Sequence, residues 1–473
     1  MSTTPLVQPE RSRSEEKWVE KLIDVEEAKA QLLLSVPMVI TSMAYYALLL
    51  VSLMFAGHLG DIELAGATLG NSWGTVTGYA LMTGLSGALE TLCGQGYGSK
   101  SYRMLGIYLQ SSIITSTAFS IIISVFWYYS EAVLILLHQD PQVAKMAGLY
   151  LKYQIPGLFA YAYLQCLLRF LQTQSVVIPL VVCSVIPLLL HVGLTYLLVH
   201  TLHLGFNGSA LSGSVSLWIS LVMLIVYVKY SKKFIYTWQG FSMESFQHVL
   251  PNLKLAIPSA VMVCLEYCAF EILVLLAGLL PNSENSTSLV ATCVNTEAIS
   301  YMITYGFSAA VSTRVSNEMG AGNTKKAKNA VTVTLKLSVF LALTFVVLLA
   351  LGHNFWVGSF TGNAEIIKEY ASMTPLLTVS ILLDSAQGVL SGVARGCGWQ
   401  HLAAWTNLVA FYLIGTPFAL LFGFKLGLHN KGLWLGLICG LFCQASTLLF
   451  ITLRSTWKKL DLTVEGRQNH VLA

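Results

Sequence analysis

Charge is what this sequence has least of. Its 473 residues include 27 Lys and Arg and 23 Asp and Glu, 11% in all, against roughly a quarter in soluble domains. Twelve of these charges lie between Glu10 and Lys29, so the rest of the chain is poorer still. With 55% hydrophobic residues and a mean hydropathy of +0.67, it lacks the solvating surface of a soluble enzyme, a nucleic-acid binder or a disordered scaffold. Catalytic and metal signatures are missing too. There is no His-His-Glu set, no Ser/His dyad at helical spacing and no filter-like loop. The nine cysteines fall inside apolar stretches or at their ends. The i,i+4 pairs Cys264/Cys268 and Cys439/Cys443 have no further His or Cys to complete a tetrahedral site, so they read as small hydrophobes. No cleavable signal peptide is expected, because the first thirty residues are charged and partly amphipathic from Glu15 to Ala30.

What remains is a succession of long apolar runs with little or no charge. A helix needs about 20 apolar residues to cross the hydrocarbon core. Such runs occupy Leu32–Ala56, Leu64–Leu89, Met104–Ser130, Met146–Leu168 (which carries Lys152), Phe170–Val228 (long enough for two spans, divided near His203–Gly208), Leu255–Leu280, Ser286–Thr313, Leu337–Ala364, Tyr370–Ala394, Gly396–Phe424 and Gly432–Leu453. They predict an all-α integral membrane protein with twelve transmembrane helices. With both termini in the cytoplasm, 22 Lys and Arg face the cytoplasm and 5 the other side, as the positive-inside rule requires. Arg169 and Arg395 are among the 22. The sequons at Asn207 and Asn285 fall on the poorly charged side.

The two halves repeat each other. Gly84-Leu85-Ser86-Gly87-Ala88 matches Gly306-Phe307-Ser308-Ala309-Ala310 at an offset of 222, and at that offset Thr91 falls on Thr313, Gly98 on Gly320, Gln165 on Gln387 and Leu204-Gly205 on Leu426-Gly427. Six helices per copy give both halves the same orientation, with a pseudo-two-fold axis along the membrane normal and a cavity between lobes. This is a transporter architecture. The expected organisation is an arm over 1–31, a first lobe over 32–230, a cytoplasmic linker over 231–250, a second lobe over 251–455 and a tail over 456–473. Pro37, Pro156, Pro187, Pro258, Pro375 and Pro417 lie inside spans, where each removes a backbone hydrogen bond and bends its helix.

Ionisable groups at mid-bilayer are costly, about 2.5–3.5 kcal/mol on insertion scales, and mark functional sites. Four stand out, all in the second half: Glu266, Glu271, Glu297 and Asp384. Ser380, Asp384, Gln387, Gly388 and Ser391 share one small, polar helical face, which is expected to line water. No Lys or Arg is visible mid-span to neutralise the acids. A carboxyl group in such a place favours its protonated form, and it can hold either a proton or an organic cation but not both. That competition is a mechanism for antiport. Glu271 lies about 140° around the helix from Glu266. Glu297 is expected to interact locally, with Tyr301 or with Asn295 and Thr292. Glu90, near a helix end, is read as a structural acid within reach of water, and His191 as a hydrogen-bonded core residue. Tyr45, Tyr46 and Tyr301 are candidates to stack on a flat cationic solute.

Several segments resemble the multidrug and toxic compound extrusion (MATE) family, and within it the plant-type eukaryotic members. They are Ala88–Gly98, Arg169–Gln174, Cys264-Leu265-Glu266-Tyr267, Ser312–Asn323 and Gly392–Gln400, and the resemblance extends from about Leu32 to Leu453. It implies a two-lobed, twelve-helix exporter of organic cations, xenobiotics or amphiphilic metabolites driven by a cation gradient, with the proton gradient as driving force and no cofactor. The proton-coupling acids it implies are Glu266 and Asp384, with Asn295 and Tyr301 nearby. Glu297, Gln387, Ser380, Glu271 and Tyr45 complete the candidate cavity. Glu297 departs from the family pattern, and the first span lacks the acid many bacterial members carry. The alternatives are a sodium-coupled or organic-anion exporter of the same fold, which for anions would want a basic residue in the cavity, or a lipid flippase. The expected partners are a small organic solute and the bilayer, with no nucleic acid. The cavity is complete within one chain, which predicts a monomer in the plasma or vacuolar membrane.

Overall fold

The computed structural model describes residues 24–358 and 363–457. Most of the expected arm and tail lies outside these residues. From Val25 onward the arm's amphipathic stretch is part of the first helix. Twelve helical rods follow one another: α1 Val25–Gly57, α2 over 61–98, α3 Tyr102–Tyr128, α4 Pro141–Thr173, α5 Ile178–Thr201, α6 Gly205–Tyr230, α7 Val249–Ala277, α8 Ser283–Gly320, α9 Thr324–Gly358, α10 Ala364–Cys397, α11 Gln400–Lys425 and α12 His429–Arg454. No strand occurs among the described residues. A bilayer forces this outcome, because only a helix satisfies all its backbone polar groups internally. Nine of the described rods are long and apolar enough to cross a membrane; α2, α4 and α8 fall short. Of these, α2 and α8 lie where the two halves meet, and α4 reaches across only near Arg169 and Gln172.

Helix starts and stops are chemically marked. Asp24 accepts a hydrogen bond from the Glu27 amide at the head of α1, and Asp140 caps α4 ahead of Pro141. Asn363 caps α10, which ends at Gly398 in the left-handed region. The repeat is visible in the backbone itself. The fifth rod of each half ends in a five-residue π turn, Leu197–Thr201 and Leu421–Lys425. A left-handed glycine then lies at the turn into the next rod, Gly205 in one half and Gly427 in the other. At the turn after the second rod, Lys100 and Gly322 are both left-handed, at φ 60° and 79°.

The linker between halves is short and strapped down. Its two 3-10 turns, Lys232–Phe234 and Met243–His248, pass under α3. There Gln110 donates to the Gly240 carbonyl at 2.9 Å and accepts from the Ser242 amide at 2.8 Å. Phe234 is buried in the first half's core.

Packing between halves is lopsided along the helix axes. At the end carrying the α2–α3 and α8–α9 turns, α2 lies against α7 and α8 so closely that side chains are excluded. A Cβ added to Gly84 would collide with the Ala260 backbone, and one added to Gly98 with the Asn317 carbonyl. At the opposite end, carrying the α1–α2 and α7–α8 connections, the halves stand apart. The molecule is sealed at one end and open at the other.

Candidate functional site

The gap at the open end is a cavity of about 870 Å³ between α1 and α2 on one side and α7, α8 and α10 on the other. It runs from mid-span to exposed residues of the open end such as His58 and Met54. Six of the nine sequence-derived candidates line it directly: Glu266, Glu271, Asn295, Glu297, Tyr301 and Asp384. Ser380 and Gln387 are fully buried behind that wall, so the polar face of α10 holds the acids in place and only Asp384 of that face reaches the cavity. Gly388 of the same face packs against Thr304 of α8.

Gln387 is the organising group. Its amide nitrogen donates to Glu266 Oε1 at 2.9 Å and to Asp384 Oδ1 at 2.8 Å, and its oxygen accepts from Ser391 at 3.1 Å. One NH2 group therefore clamps a carboxyl from α7 and a carboxyl from α10 together. The i,i+3 spacing of Asp384 and Gln387 on α10 aims both at the same neighbour. Glu297 of α8 joins from the other side. Ser380 Oγ lies 2.7 Å from its Oε2, and the Trp434 indole donates to that hydroxyl at 3.1 Å. Glu297 thus interacts with α10, correcting the expectation of a local bond to Tyr301, Asn295 or Thr292. Its Oε1 is buried with no hydrogen-bond partner among the described residues. No Lys or Arg lies within ion-pair distance of Glu266, Glu297 or Asp384 among the described residues. Glu271 lines the same cavity nearer its mouth, beside Ser72 of α2.

Tyr45 belongs elsewhere. It lines a second, smaller cavity of about 200 Å³, enclosed mainly by α1, α2, α4 and α6 of the first half, and its hydroxyl pairs with Ser220 at 2.7 Å. The two cavities share the wall formed by Tyr46, Asn71, Thr75, Tyr267, Tyr301 and Met302.

The sealed end holds a charge cluster that the sequence reading missed. Glu90 of α2 is 0% exposed, out of reach of bulk water and contrary to expectation. Its Oε1 lies 2.9 Å from Arg169 of α4, and its Oε2 lies 2.9 Å from Nε of Arg395 of α10. Arg169 and Arg395 are 2% and 5% exposed, so neither is the loop charge that its position near a span end suggested. Arg395 also donates to Ser308 at 2.8 Å, and Arg169 to the Tyr305 hydroxyl. Arg169 reaches the lining of the smaller cavity, which corrects the expectation that no basic residue would be found there. Around this core, bonds cross between halves. Gln95 donates to the Gly396 carbonyl at 3.2 Å, Gln172 to the Ala309 carbonyl at 2.9 Å, Gln400 to Thr91 at 2.7 Å and Asn317 to the Thr173 carbonyl at 3.1 Å. On the rim, Arg314 grips both oxygens of Glu27 at 3.0 and 2.7 Å. The usable signal was a set of charged residues embedded in the motif segments 88–98, 169–174 and 392–400. These segments meet at the sealed end. His191 is, as expected, a hydrogen-bonded core residue, held by Ser52 at 3.1 Å and Ser216 at 2.8 Å.

Two six-helix bundles enclosing a mid-span cavity, sealed at one end by polar bonds and open at the other, define a membrane transporter. The chain belongs to the MATE family: the MatE family model matches residues 37–197 and again 258–421, one match per half. It is 62% identical to Protein DETOXIFICATION 18 of Arabidopsis thaliana over 94% of each chain. It is 45% identical to Protein DETOXIFICATION 16 of the same plant, over 95% of this chain and 93% of that one. Its structure superposes on the crystal structure of the eukaryotic MATE transporter AtDTX14 with a TM-score of 0.89 at 37% identity, covering 92% of this chain and 97% of the other. It is therefore an integral multi-pass membrane transporter of the plant detoxification type, in a family of transporters rather than enzymes.

Proposed function

We propose that this chain exports organic cations or amphiphilic metabolites from the cytoplasm in exchange for protons, by rocking its two halves about the cavity. The observation that carries the reading is the Glu266–Gln387–Asp384 clamp: two carboxyls from different helices, held by one amide, with no basic partner among the described residues. Gln387 occupies one oxygen of each, leaving the others for a proton or a cationic nitrogen. Loading one displaces the other, because both compete for the same free carboxyl oxygens and a protonated carboxyl no longer offers a countercharge to a cation. The Lys and Arg distribution supports a cytoplasmic sealed end, with the open end outside or in a lumen, where protons are more abundant. The cavity lies within one chain, which fits a working monomer in a plasma or vacuolar membrane. An organic-anion reading draws on Arg169 in the smaller cavity, but Glu90 already holds that guanidinium.

The test is pH-driven export of a fluorescent organic cation from vesicles containing wild type, Glu266→Gln or Asp384→Asn protein. Either substitution is expected to abolish gradient-dependent export. Undiminished export by both variants, or by wild type without a pH gradient, overturns proton coupling; export that follows a sodium gradient selects the sodium-coupled alternative.

A further inference from the structure

The smaller cavity is walled by tyrosines of two kinds. Four have their hydroxyls turned to protein partners. Tyr45 pairs with Ser220 at 2.7 Å, Tyr79 donates to Gln154 at 2.8 Å, Tyr161 pairs with Thr83 at 2.9 Å and Tyr305 takes a bond from Arg169. What they offer a guest is ring surface; Tyr79 and Tyr161 meet edge to face at 4.9 Å. The other three, Tyr46, Tyr267 and Tyr301, stand on the wall common to both cavities, and their hydroxyls have no hydrogen-bond partner among the described residues. A phenol in an apolar setting normally finds a partner, so these three present unsatisfied donors to whatever enters. They come from α1, α7 and α8, so the collar spans both halves.

Charge is divided between the cavities as sharply as aromaticity. No carboxylate lines the smaller one, and its single formal charge, Arg169, is bound to Glu90. The larger one carries Glu266, Glu271, Glu297 and Asp384. Neither cavity alone offers both ring faces in number and countercharge; a guest reaching through the collar meets both.

We propose that the smaller cavity is an aromatic subsite joined through the Tyr46–Tyr267–Tyr301 collar to the acidic cavity, so that the preferred cargo is an elongated cation: a planar aromatic body among the tyrosines and a cationic nitrogen on the acidic side. The cationic end rests on the reading proposed above; the aromatic end does not. Compact aliphatic cations stay in the acidic cavity and do not reach Tyr45, Tyr79, Tyr161 and Tyr305, which line only the smaller one.

The experiment is calorimetric binding to the purified full chain, with no gradient, using ethidium as the planar aromatic cation and tetraethylammonium as the aliphatic one. Tyr161, which lines only the smaller cavity, is the first target. Tyr161→Leu is expected to lower the ratio of ethidium to tetraethylammonium affinity about fivefold, as loss of one aromatic partner implies, whereas Tyr161→Phe keeps the ring and holds the ratio within about twofold. If Tyr161→Leu yields no monodisperse protein, Tyr79→Leu, which also touches only the smaller cavity, carries the same test. An unchanged ratio in the leucine variant, an equal fall in the phenylalanine variant, or no saturable ethidium binding to wild type overturns the proposal. Because this assay reads affinity ratios without a gradient, its failure leaves the proton-coupling result untouched, and the converse also holds.

Discussion

The two halves bury acids at similar depth and treat them in opposite ways. In the first half Glu90 is clamped by two guanidiniums, one from each half. In the second, Glu266, Asp384 and Glu297 are clamped by an amide and a hydroxyl and have no cation among the described residues. Taking a carboxylate out of water costs several kcal/mol, and a well-placed counter-ion offsets much of that. The first half therefore spends its acid on holding the molecule shut, whereas the second leaves its acids with unmet demand facing a cavity. On the function proposed above, the difference would separate a structural acid from a transport acid by whether the fold itself supplies the neutralising charge.

The sharpest way to break that comparison is to neutralise each kind of acid in turn. Glu90→Gln strands two buried guanidiniums and is expected to destabilise the protein by about 3–5 kcal/mol, read as a lowered thermal midpoint in detergent. Glu266→Gln should change the same midpoint little, within about 1 kcal/mol, since no ion pair is lost. Equal midpoints for the two variants would erase the distinction. A smaller effect is expected from Arg395→Gln. It leaves Glu90 with Arg169 but cuts the bond between halves, at about 1.5–3 kcal/mol for a charge-assisted hydrogen bond. Its more telling readout is access at the sealed end. Cys397, now buried, should react faster with a membrane-impermeant thiol reagent applied from that side, and an unchanged rate would show that Arg395 does not hold the seal. The smallest effect belongs to Arg314→Ala on the rim, where the pair with Glu27 is a quarter exposed. About 1 kcal/mol or less is expected, and it should shrink further in high salt; a loss as large as that of Glu90→Gln would mean the rim, not the buried cluster, is the main fastening.

The fold was readable in the sequence because the bilayer leaves so few choices. Eleven long runs of little or no charge, one of them double, became twelve rods, several of which extend beyond the apolar run, as α1, α4 and α7 do at their first turns. The site was readable in part. Glu266 and Asp384 stood out because an acid inside an apolar run has no ordinary explanation, and Gln387 because it shares a helical face with Asp384. What escaped was anything that depends on two rods meeting. Arg169 and Arg395 look in sequence like the basic residues that anchor a span at its end, and only the approach of α4 and α10 to α2 turns them inward. Ser380 and Glu297 are 83 residues apart, and nothing local announces their bond. Tyr45 reads in sequence as a cavity residue for its aromatic ring, and only the folded first half shows that it lines the smaller cavity instead.

The paired turns at Lys100 and Gly322 show how far the duplicated copies have drifted under one geometric demand. Both must wind the backbone the wrong way for an L-residue, and only one copy kept the residue that does so at no steric cost. Lysine at the other site carries a standing penalty of about 1–2 kcal/mol, so grafting the second copy's glycine back into the first is a ready route to a hardier protein for purification and crystallisation.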